Sequence, residues 1–249
     1  MSDLISKMLY DRYATTQALA NGQDISDIMK YSHSYFVRHY GEILPSNRNI
    51  RILDMGCGYG RYLKSLMSMG YHNCYGIDVS EEQISYARNV LGLKNVEEAD
   101  AGRWMKDKES SFNVVLAMDV LEHLESSNLV DLCKKVEKSL DWGGRFIVQV
   151  PNGLTLLNPI IHGDLTHVRA FTVESLGQLF RIAGFNPPVE YYEIPPHSVN
   201  RMGMMKEFLW SVLFRPVINL FVVVTYRRMC PAIYTNNFIG VAHKAKRMG

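Results

Sequence analysis

The sequence predicts an α/β fold in which helices cover both faces of a parallel sheet. From residue 50 onward, strand-like apolar runs alternate with helix-like stretches, as expected for right-handed crossover units. The run FNVVLAM is unbroken, which is typical of a strand that is buried on both faces. The run ILDM leads through the glycine-rich turn GCGYG into a helix, an arrangement that suits a nucleotide-like ligand.

Seven strands and several helices are expected in chain order. The strand segments are NIRILDM, HNCYGIDVS, KNVEEAD, FNVVLAM, GGRFIVQVPN, PPVEYYEI and NFIGVAHKA. Residues 1–46 show helical spacing and are expected either to cover the ligand site or to pack on the sheet edge. Ser80 and Thr172 are predicted to cap helices, and Gly184 is predicted to end one.

The last quarter of the chain differs from the rest in charge and hydropathy. Residues 200–249 carry eight basic side chains and one acid, a net +7, so residues 1–199 carry −5 of the total +2. Residues 208–224 are apolar but are interrupted by Arg215, Pro216 and Asn219. We therefore expect a proline-broken helical pair rather than a membrane span, which needs about 20 uncharged residues. An active-site lid, a dimer face and a membrane-surface anchor through residues 203–228 all remain open.

These patterns divide the chain into four parts: a helical cap (1–46), a core (47–199), a helical insertion (200–235), and the last strand with a basic tail (236–249). The four cysteines form no CxxC pair, and the first residues have no apolar h-region. We therefore expect free thiols and a cytoplasmic protein, either free or at the inner face of the membrane.

The ligand of the glycine-rich turn is constrained by its spacing. A nicotinamide or flavin fingerprint, G-x-G-x-x-G, fails because Arg61 or Leu63 stands where the third glycine is required. Asp54 lies two residues before the first glycine, where a carboxylate would repel a pyrophosphate. The same carboxylate would favour a ligand with an ammonium or sulfonium group.

Four ordered motifs resemble those of class I methyltransferases that use S-adenosylmethionine. They are D-x-G-C-G-x-G after the first strand, YGIDVS, EEADA and FNVVLAMDVLEHL. The match covers roughly residues 50–152 and, more weakly, the last two strands. The resemblance implies a Rossmann-like, seven-stranded, mostly parallel sheet in which strand seven is antiparallel and lies between strands five and six. The N-terminal helical cap and the helical insertion before the last strand complete this expectation.

The resemblance also implies the cofactor contacts. Asp78 would accept hydrogen bonds from both ribose hydroxyls, and Asp100 would accept one from the adenine amino group. Asp119 either contacts the ligand or caps the following helix, and Cys57 is either a backbone contact or a small buried filler. The full set of implied cofactor residues is Asp54, Gly56, Cys57, Gly58, Asp78, Val79, Asp100, Ala101 and Met118.

Two histidines are candidates for the general base that an oxygen acceptor requires. His167 lies in IIHGDLTHVRAFT after strand five and is the first choice, with Asp164 as its orienting group. His123 in LEHL is the second choice. His162, Asp164 and His167 lack further ligands for a metal, so we expect a metal-independent enzyme.

The acceptor class is open at this stage. The D-x-T-H…F-T stretch resembles methyltransferases of bacterial surface-polysaccharide pathways, which implies O-methylation of a sugar, a glycan or a related hydroxyl, including a lipid-linked one. A quinone-type or other small-molecule O- or N-methyltransferase is the alternative, and a non-catalytic cofactor-binding protein is the alternative from another class. AMDVLEHL does not match the N/D-P-P-Y/F motif of amino-base methylation, so we expect no nucleic-acid partner. A homodimer is an open alternative among the partners.

Overall fold

The computed structural model describes residues 25–155, 159–195, 201–226 and 233–246. Most of the expected helical cap, residues 1–24, and Cys230 therefore lie outside the described residues. The described part contains one seven-stranded sheet in the order β3-β2-β1-β4-β5-β7-β6. Its strands are β1 Ile52–Met55, β2 Cys74–Asp78, β3 Val96–Glu98, β4 Phe112–Met118, β5 Leu140–Pro151, β6 Asn186–Glu193 and β7 Asn237–His243.

The direction of the strands confirms the predicted topology. The pairs β1–β2, β1–β4, β2–β3 and β4–β5 are parallel. Strand β7 is antiparallel to both β5 and β6, and it lies between them. This is the Rossmann-like sheet that the resemblance implied.

Helices flank the sheet and connect its strands. They are α1 Ile25–Tyr40, α2 Arg61–Ser68, α3 Glu81–Asn89, α4 Ala101–Trp104, α5 Ser126–Ser139, α6 Pro159–His162, α7 Val173–Ala183, α8 Arg201–Leu209 and α9 Arg215–Tyr226. The predicted caps are confirmed, since Ser80 and Thr172 accept hydrogen bonds from the backbone of their helices. Gly184 ends α7 at φ 98°, a left-handed conformation that suits glycine.

Strand β4 shows why both faces of the sheet are buried. Val115 and Ala117 belong to the core cluster that contains residues of α5 and α7. Val114, Leu116 and Met118 belong to the cluster that contains residues of α1, α2 and α3. Because side chains alternate between faces along a strand, an unbroken apolar run places apolar groups on both sides.

The helix α1 extends over the sheet at the end where β4 and β5 finish. Phe36 stacks on Tyr62 of α2 with ring centroids 5.2 Å apart. The hydroxyls of Tyr35 and Tyr40 both donate to Gln149 Oε1 at 2.6 Å. The described part of the cap is therefore fixed to β5 by hydrogen bonds as well as by aromatic packing.

The predicted proline-broken helical pair is wrong. Residues 201–226 form one continuous helical run, which we call the apolar helix, in which a π-helical segment, Trp210–Phe214, joins α8 to α9. Pro216 lacks an N–H and its ring would clash with the carbonyl four residues earlier. The wider π turn just before it accommodates the ring, so the helix continues instead of breaking.

Candidate active site

The glycine-rich turn after β1 packs closely on its neighbours. Gly56 and Gly58 have φ values of 74° and 54°, which other residues rarely adopt. A Cβ on Gly56 would lie 2.4 Å from Val120 Cγ2, so the turn leaves no room for a side chain there. The contact also brings the segment after β4 directly against the turn.

Asp54 is fully buried at the end of β1, and neither carboxylate oxygen has a hydrogen-bond partner among the described residues. Burial raises the pKa of this carboxyl to about 7, while the charge of nearby Arg61 acts in the opposite direction. A buried acid without partners is costly unless a cation comes to it. The turn therefore holds an unsatisfied negative site.

The two acids at the ends of β2 and β3 are bound to backbone groups. Asp78 Oδ2 accepts from Gly58 N at 2.8 Å, and its Oδ1 accepts from Ser80 N at 2.9 Å. Burial raises the pKa of Asp78, and these backbone donors oppose the rise. Asp100 is exposed and its Oδ1 accepts from Arg103 N at 2.8 Å, as the N-cap of α4. Each carboxylate keeps lone pairs for further donors.

The remaining predicted cofactor residues differ in what they can offer. Cys57 is buried, its N–H donates to Ile77 O at 3.0 Å, and its carbonyl accepts from Gly60 N at 2.9 Å. Its thiol fills the space beside Gly76, where an added Cβ would lie 2.8 Å from Cys57 Sγ. Val79 is exposed, Ala101 is half-buried, and Met118 is buried at the end of β4.

Asp119 does not cap the helical turn that follows it. Its backbone has φ 58°, and its carboxylate accepts from Gln149 Nε2 at 2.8 Å on both oxygens and from Asn237 Nδ2 at 3.1 Å. Because Gln149 Oε1 accepts from Tyr35 and Tyr40, a single amide joins α1, β4 and β5. This network fixes the end of β4 beside the glycine-rich turn.

The two candidate bases, far apart in sequence, are neighbours in the fold. The rings of His123 and His167 have centroids 4.7 Å apart. Fully buried Glu122 lies next to them, with His167 Nε2 at 3.9 Å from its Oε1. We call Glu122, His123 and His167 the Glu-His-His cluster. His162, by contrast, is exposed at the end of α6.

The carboxylate of Asp164 is linked to His123, whereas the sequence predicted that it would orient His167. Its Oδ1 accepts from Thr166 N at 2.8 Å and from Thr166 Oγ1 at 2.6 Å. Thr166 Oγ1 lies 2.9 Å from His123 Nδ1. His167 is oriented differently, by a 3.0 Å hydrogen bond between its Nδ1 and the carbonyl of Ile160.

Burial dominates the electrostatics of this cluster. It raises the pKa of Glu122 well above its usual range, and the negative charge of Asp119 adds to the rise. Burial, and then the neighbouring His167, lower the pKa of His123, while hydrogen bonds to the backbone of Thr166 and Asp119 oppose the change. A neutral His123 is therefore favoured near pH 7 and has one ring nitrogen able to accept a proton.

Sequence reasoning missed several polar residues of the site. The sequence prediction names His123 but not the adjacent Glu122, although a second titratable residue in the same motif indicates a functional site. Gln149 interrupts the apolar run FIVQVP, and such a residue in a buried strand predicts a hydrogen-bonded role. Asn237 has no comparable signal, because its partner Asp119 is 118 residues away in the chain.

Comparisons with known proteins agree on the type of domain. A family described as a methyltransferase domain matches residues 30–189. The ubiquinone biosynthesis O-methyltransferase of Paraburkholderia phymatum is 34% identical over 98 residues, which is 37% of this chain and 41% of that protein. The trans-aconitate 2-methyltransferase of Sinorhizobium medicae is 27% identical over 141 residues, 56% of this chain and 53% of that protein. The matches thus span about two fifths to one half of these curated relatives.

A solved structure supports the same fold. A SAM-dependent methyltransferase from Archaeoglobus fulgidus superposes with a TM-score of 0.63 at 21% identity, and the match covers 89% of this chain and all of that one. At this identity the likeness concerns the fold.

Proposed function

The chain belongs to the family of proteins with a methyltransferase domain, and on that premise we propose that it transfers a methyl group from S-adenosylmethionine to a hydroxyl of a small acceptor. The observation that carries the proposal is Asp54, a buried carboxylate without partners among the described residues, at the glycine-rich turn. The cofactor would bring its ammonium group to this acid.

The other residues of the turn fit the same cofactor. The absence of side chains at Gly56 and Gly58 lets a ligand approach the backbone, and Asp78 keeps lone pairs for two ribose hydroxyls. When bound, S-adenosylmethionine supplies a methyl group on a positively charged sulfur, already activated for in-line displacement. The chain's task is then to orient the acceptor and to help its hydroxyl lose a proton.

Calorimetry tests the cofactor. We expect S-adenosylmethionine and S-adenosylhomocysteine to bind and NAD not to bind. Asp78→Asn should weaken S-adenosylhomocysteine at least 10-fold, because an amide cannot accept from two hydroxyls with both of its ends. Asp107→Asn, an exposed acid on another segment, is the matched control and should bind normally. Tight binding of NAD would contradict the proposal.

We assign activation of the acceptor hydroxyl to the Glu-His-His cluster. The contact between Gly56 and Val120 brings the segment that carries Glu122 and His123 against the cofactor turn. A neutral histidine there can take the proton directly, with Asp164 and Thr166 orienting His123.

Substitution of the two histidines tests this assignment. His167→Ala and His123→Ala should each lower the rate of methyl transfer at least 100-fold with S-adenosylhomocysteine affinity unchanged. His162→Ala, in the same stretch but exposed, is the control and should keep full activity. Full activity in both cluster variants would refute the assignment.

The acceptor class we favour is a quinone-type phenol. Several curated relatives are ubiquinone biosynthesis O-methyltransferases, at 30–34% identity over part of their length. A sugar, glycan or lipid-linked hydroxyl is the second candidate, because the D-x-T-H…F-T stretch supports it. Labelled methyl donor with catechol-type and sugar acceptors distinguishes the two: transfer to the sugars alone would overturn our choice.

The apolar helix supports a membrane-resident acceptor. Met202–Thr225 is long and apolar enough to cross a membrane: an 18-residue stretch within it has a mean hydropathy of 1.8, and no residue of that stretch is buried in the protein. Neighbours such as Leu220 and Phe221 are both more than 60% exposed. Since successive residues lie about 100° apart on a helix, its apolar surface extends around the axis instead of forming one stripe.

Two ion pairs fix the orientation of this helix relative to the protein and therefore to a bilayer. Glu207 pairs with Arg38 of α1, and Arg215 pairs with Glu193 of β6 at 3.3 Å. These two ties, about 12 Å apart along the axis, hold the helix along the body of the protein. We therefore propose that the helix lies in the interface at the cytoplasmic face of a membrane, where the net +7 of residues 200–249 favours anionic lipids.

Vesicle sedimentation tests this contact. The chain should sediment with vesicles that contain phosphatidylglycerol, and the double variant Leu220→Glu, Val224→Glu should stay in the supernatant. Leu165→Glu changes a leucine that is 94% exposed elsewhere and should sediment as the parent does. No vesicle binding by the parent would overturn the membrane contact, and a homodimer that the double variant dissociates would assign the helix to a dimer face instead.

A further inference from the structure

The Glu-His-His cluster brings three metal-binding side chains together. One ligand atom from each of Glu122, His123 and His167 lies within 4.8 Å of the other two. We propose that this cluster binds one divalent metal ion, in place of the metal-independent site expected from the sequence. The role given to the metal below rests on the proposed function, whereas the binding itself does not.

Glu122 is the independent reason to expect a cation. Its side chain is fully buried, and neither oxygen has a partner in good hydrogen-bond geometry among the described residues, although its own backbone N–H acts on it electrostatically. The nearest described cationic group is the His167 ring at 3.9 Å, which is charged only when protonated. A buried carboxylate in such a place is strongly disfavoured, and coordination to a metal ion would compensate it.

The hydrogen bonds at Nδ1 of both histidines are those that metal-binding histidines usually make. The carbonyl of Ile160 can only accept, so His167 Nδ1, 3.0 Å away, must donate to it. Thr166 gives its hydroxyl proton to Asp164 at 2.6 Å, so Thr166 Oγ1 accepts from His123 Nδ1. When His167 is neutral its lone pair then lies on Nε2, and a neutral His123 with its proton on Nδ1 presents Nε2 in the same way. Donation of the other ring nitrogen to a carbonyl or an oxygen partner is the usual outer-shell arrangement.

The number and type of ligands indicate a catalytic ion. Two histidines and a glutamate leave one position open in a tetrahedral zinc site, unlike a closed structural site. In such a site the ligand atoms lie roughly 3.4 Å apart. The gap of 3.9 Å between His167 Nε2 and Glu122 Oε1 would close by about 0.5 Å, and the other two pairs, which lie within 4.8 Å, by at most about 1.4 Å. Zinc, or another first-row cation that accepts imidazole, fits this set.

The position of the cluster gives the metal a role. The acceptor hydroxyl would bind at the open position, where the cation lowers its pKa and the proton leaves to water. The acceptor oxygen then forms a bond to the methyl carbon while the bond from sulfur to that carbon breaks. The electron pair stays on sulfur, which becomes the neutral thioether. With the ion bound, His123 and His167 would serve as ligands and water would take the proton, whereas in the chain without the ion a histidine takes it.

Metal binding is measured on the full chain after removal of metals with a chelator. Zinc content and the visible spectrum of added Co²⁺ report the site, and Glu122→Gln and His167→Ala are the variants. Glu122→Gln keeps the size of the side chain and removes its charge, so it should fold. We expect about one Zn²⁺ per chain in the parent and in His162→Ala, and at least a 10-fold weaker affinity in both cluster variants.

The outcomes separate this inference from the proposed function. It is overturned if the parent binds neither ion, or if Glu122→Gln binds both as the parent does. Methyl transfer that persists in the metal-free chain would overturn the catalytic role and leave the proposed function standing. A chain that binds Zn²⁺ but not S-adenosylhomocysteine would refute the proposed function and leave the metal site standing.

Discussion

The variant Asp54→Asn tests two effects of this buried acid: its cost to the stability of the unliganded protein and its contribution to cofactor binding. In the unliganded protein the pKa of Asp54 rises from 3.8 to about 7, because burial removes the carboxylate from water. A difference of about three pH units between the folded and unfolded states corresponds to roughly 4 kcal/mol. Asparagine has nearly the same shape and no charge. The unliganded variant should therefore be more stable than the parent at pH 8, by an amount approaching this figure.

The sign of the pH dependence follows from the raised pKa. Between pH 4 and pH 7 folded Asp54 holds a proton that the unfolded chain has lost, so the parent loses stability as pH rises through this window. Below pH 4 both states are protonated and the two proteins should be equally stable. Above pH 7 the difference is complete and constant.

Cofactor binding should depend on pH in the opposite direction. The ammonium of S-adenosylhomocysteine requires an ionised Asp54, of which about 3% remains at pH 5.5 for a pKa of about 7. The affinity of the parent should thus fall about 30-fold from pH 8 to pH 5.5. Asp54→Asn should bind at least 30-fold more weakly at pH 8, the usual loss for a buried charge partner.

Urea unfolding and calorimetry across this pH range provide the measurement, with Asp107→Asn as the control. If Asp54→Asn binds S-adenosylhomocysteine as tightly as the parent, or if its gain in stability does not vary with pH, the charge of Asp54 is not the feature that recognises the ligand.

Two further substitutions test the packing around the site. Gly56→Ala should cost more stability than Gly92→Ala, and calorimetry should show binding of S-adenosylhomocysteine at least 10-fold weaker. Both glycines have positive φ, but only Gly56 faces a side chain, since an added Cβ would lie 2.4 Å from Val120. Gln149→Leu should lose about 3 kcal/mol in urea unfolding, because it removes the side chain that accepts from two tyrosine hydroxyls and donates to Asp119. The exposed Gln178→Leu should change little, and equal losses in the two glutamine variants would contradict the network.

The sheet could be predicted because its signals are local. Each strand is a short apolar run, and the glycines at 56 and 58 lie where the turn requires positive φ. The order of β5, β7 and β6 came from the resemblance, since no residue pattern specifies which strand lies between two others. The apolar helix was misjudged because Pro216 ordinarily breaks a helix, and nothing in the sequence signals the π turn that accommodates it.

The polar contacts of the site were harder to predict than its location. His123 and His167 were both identified, but their adjacency depends on the path of the loop after β5, which ties Val168 N to Glu122 O at 2.9 Å. Asp164 was paired with His167 because they are close in sequence. The fold directs its carboxylate to Thr166 instead, within a tight turn. Side-chain partners across distant segments follow from tertiary structure and have no sequence period.

Asp54 and Glu122 present the same physical problem and should have different solutions. Both are fully buried, and neither has a hydrogen-bond partner for its carboxylate among the described residues. If the cofactor ammonium compensates Asp54 and a metal ion compensates Glu122, each ligand should stabilise the chain only when its own acid is present. At 100 times its dissociation constant, a ligand adds about 2.7 kcal/mol, which raises the melting temperature by roughly 5–10 °C.

S-adenosylhomocysteine should give this rise in the parent and in Glu122→Gln but not in Asp54→Asn. Zn²⁺ should give it in the parent and in Asp54→Asn but not in Glu122→Gln. Loss of both responses in either single variant would mean that the two acids serve one ligand, and the separate metal site would be wrong.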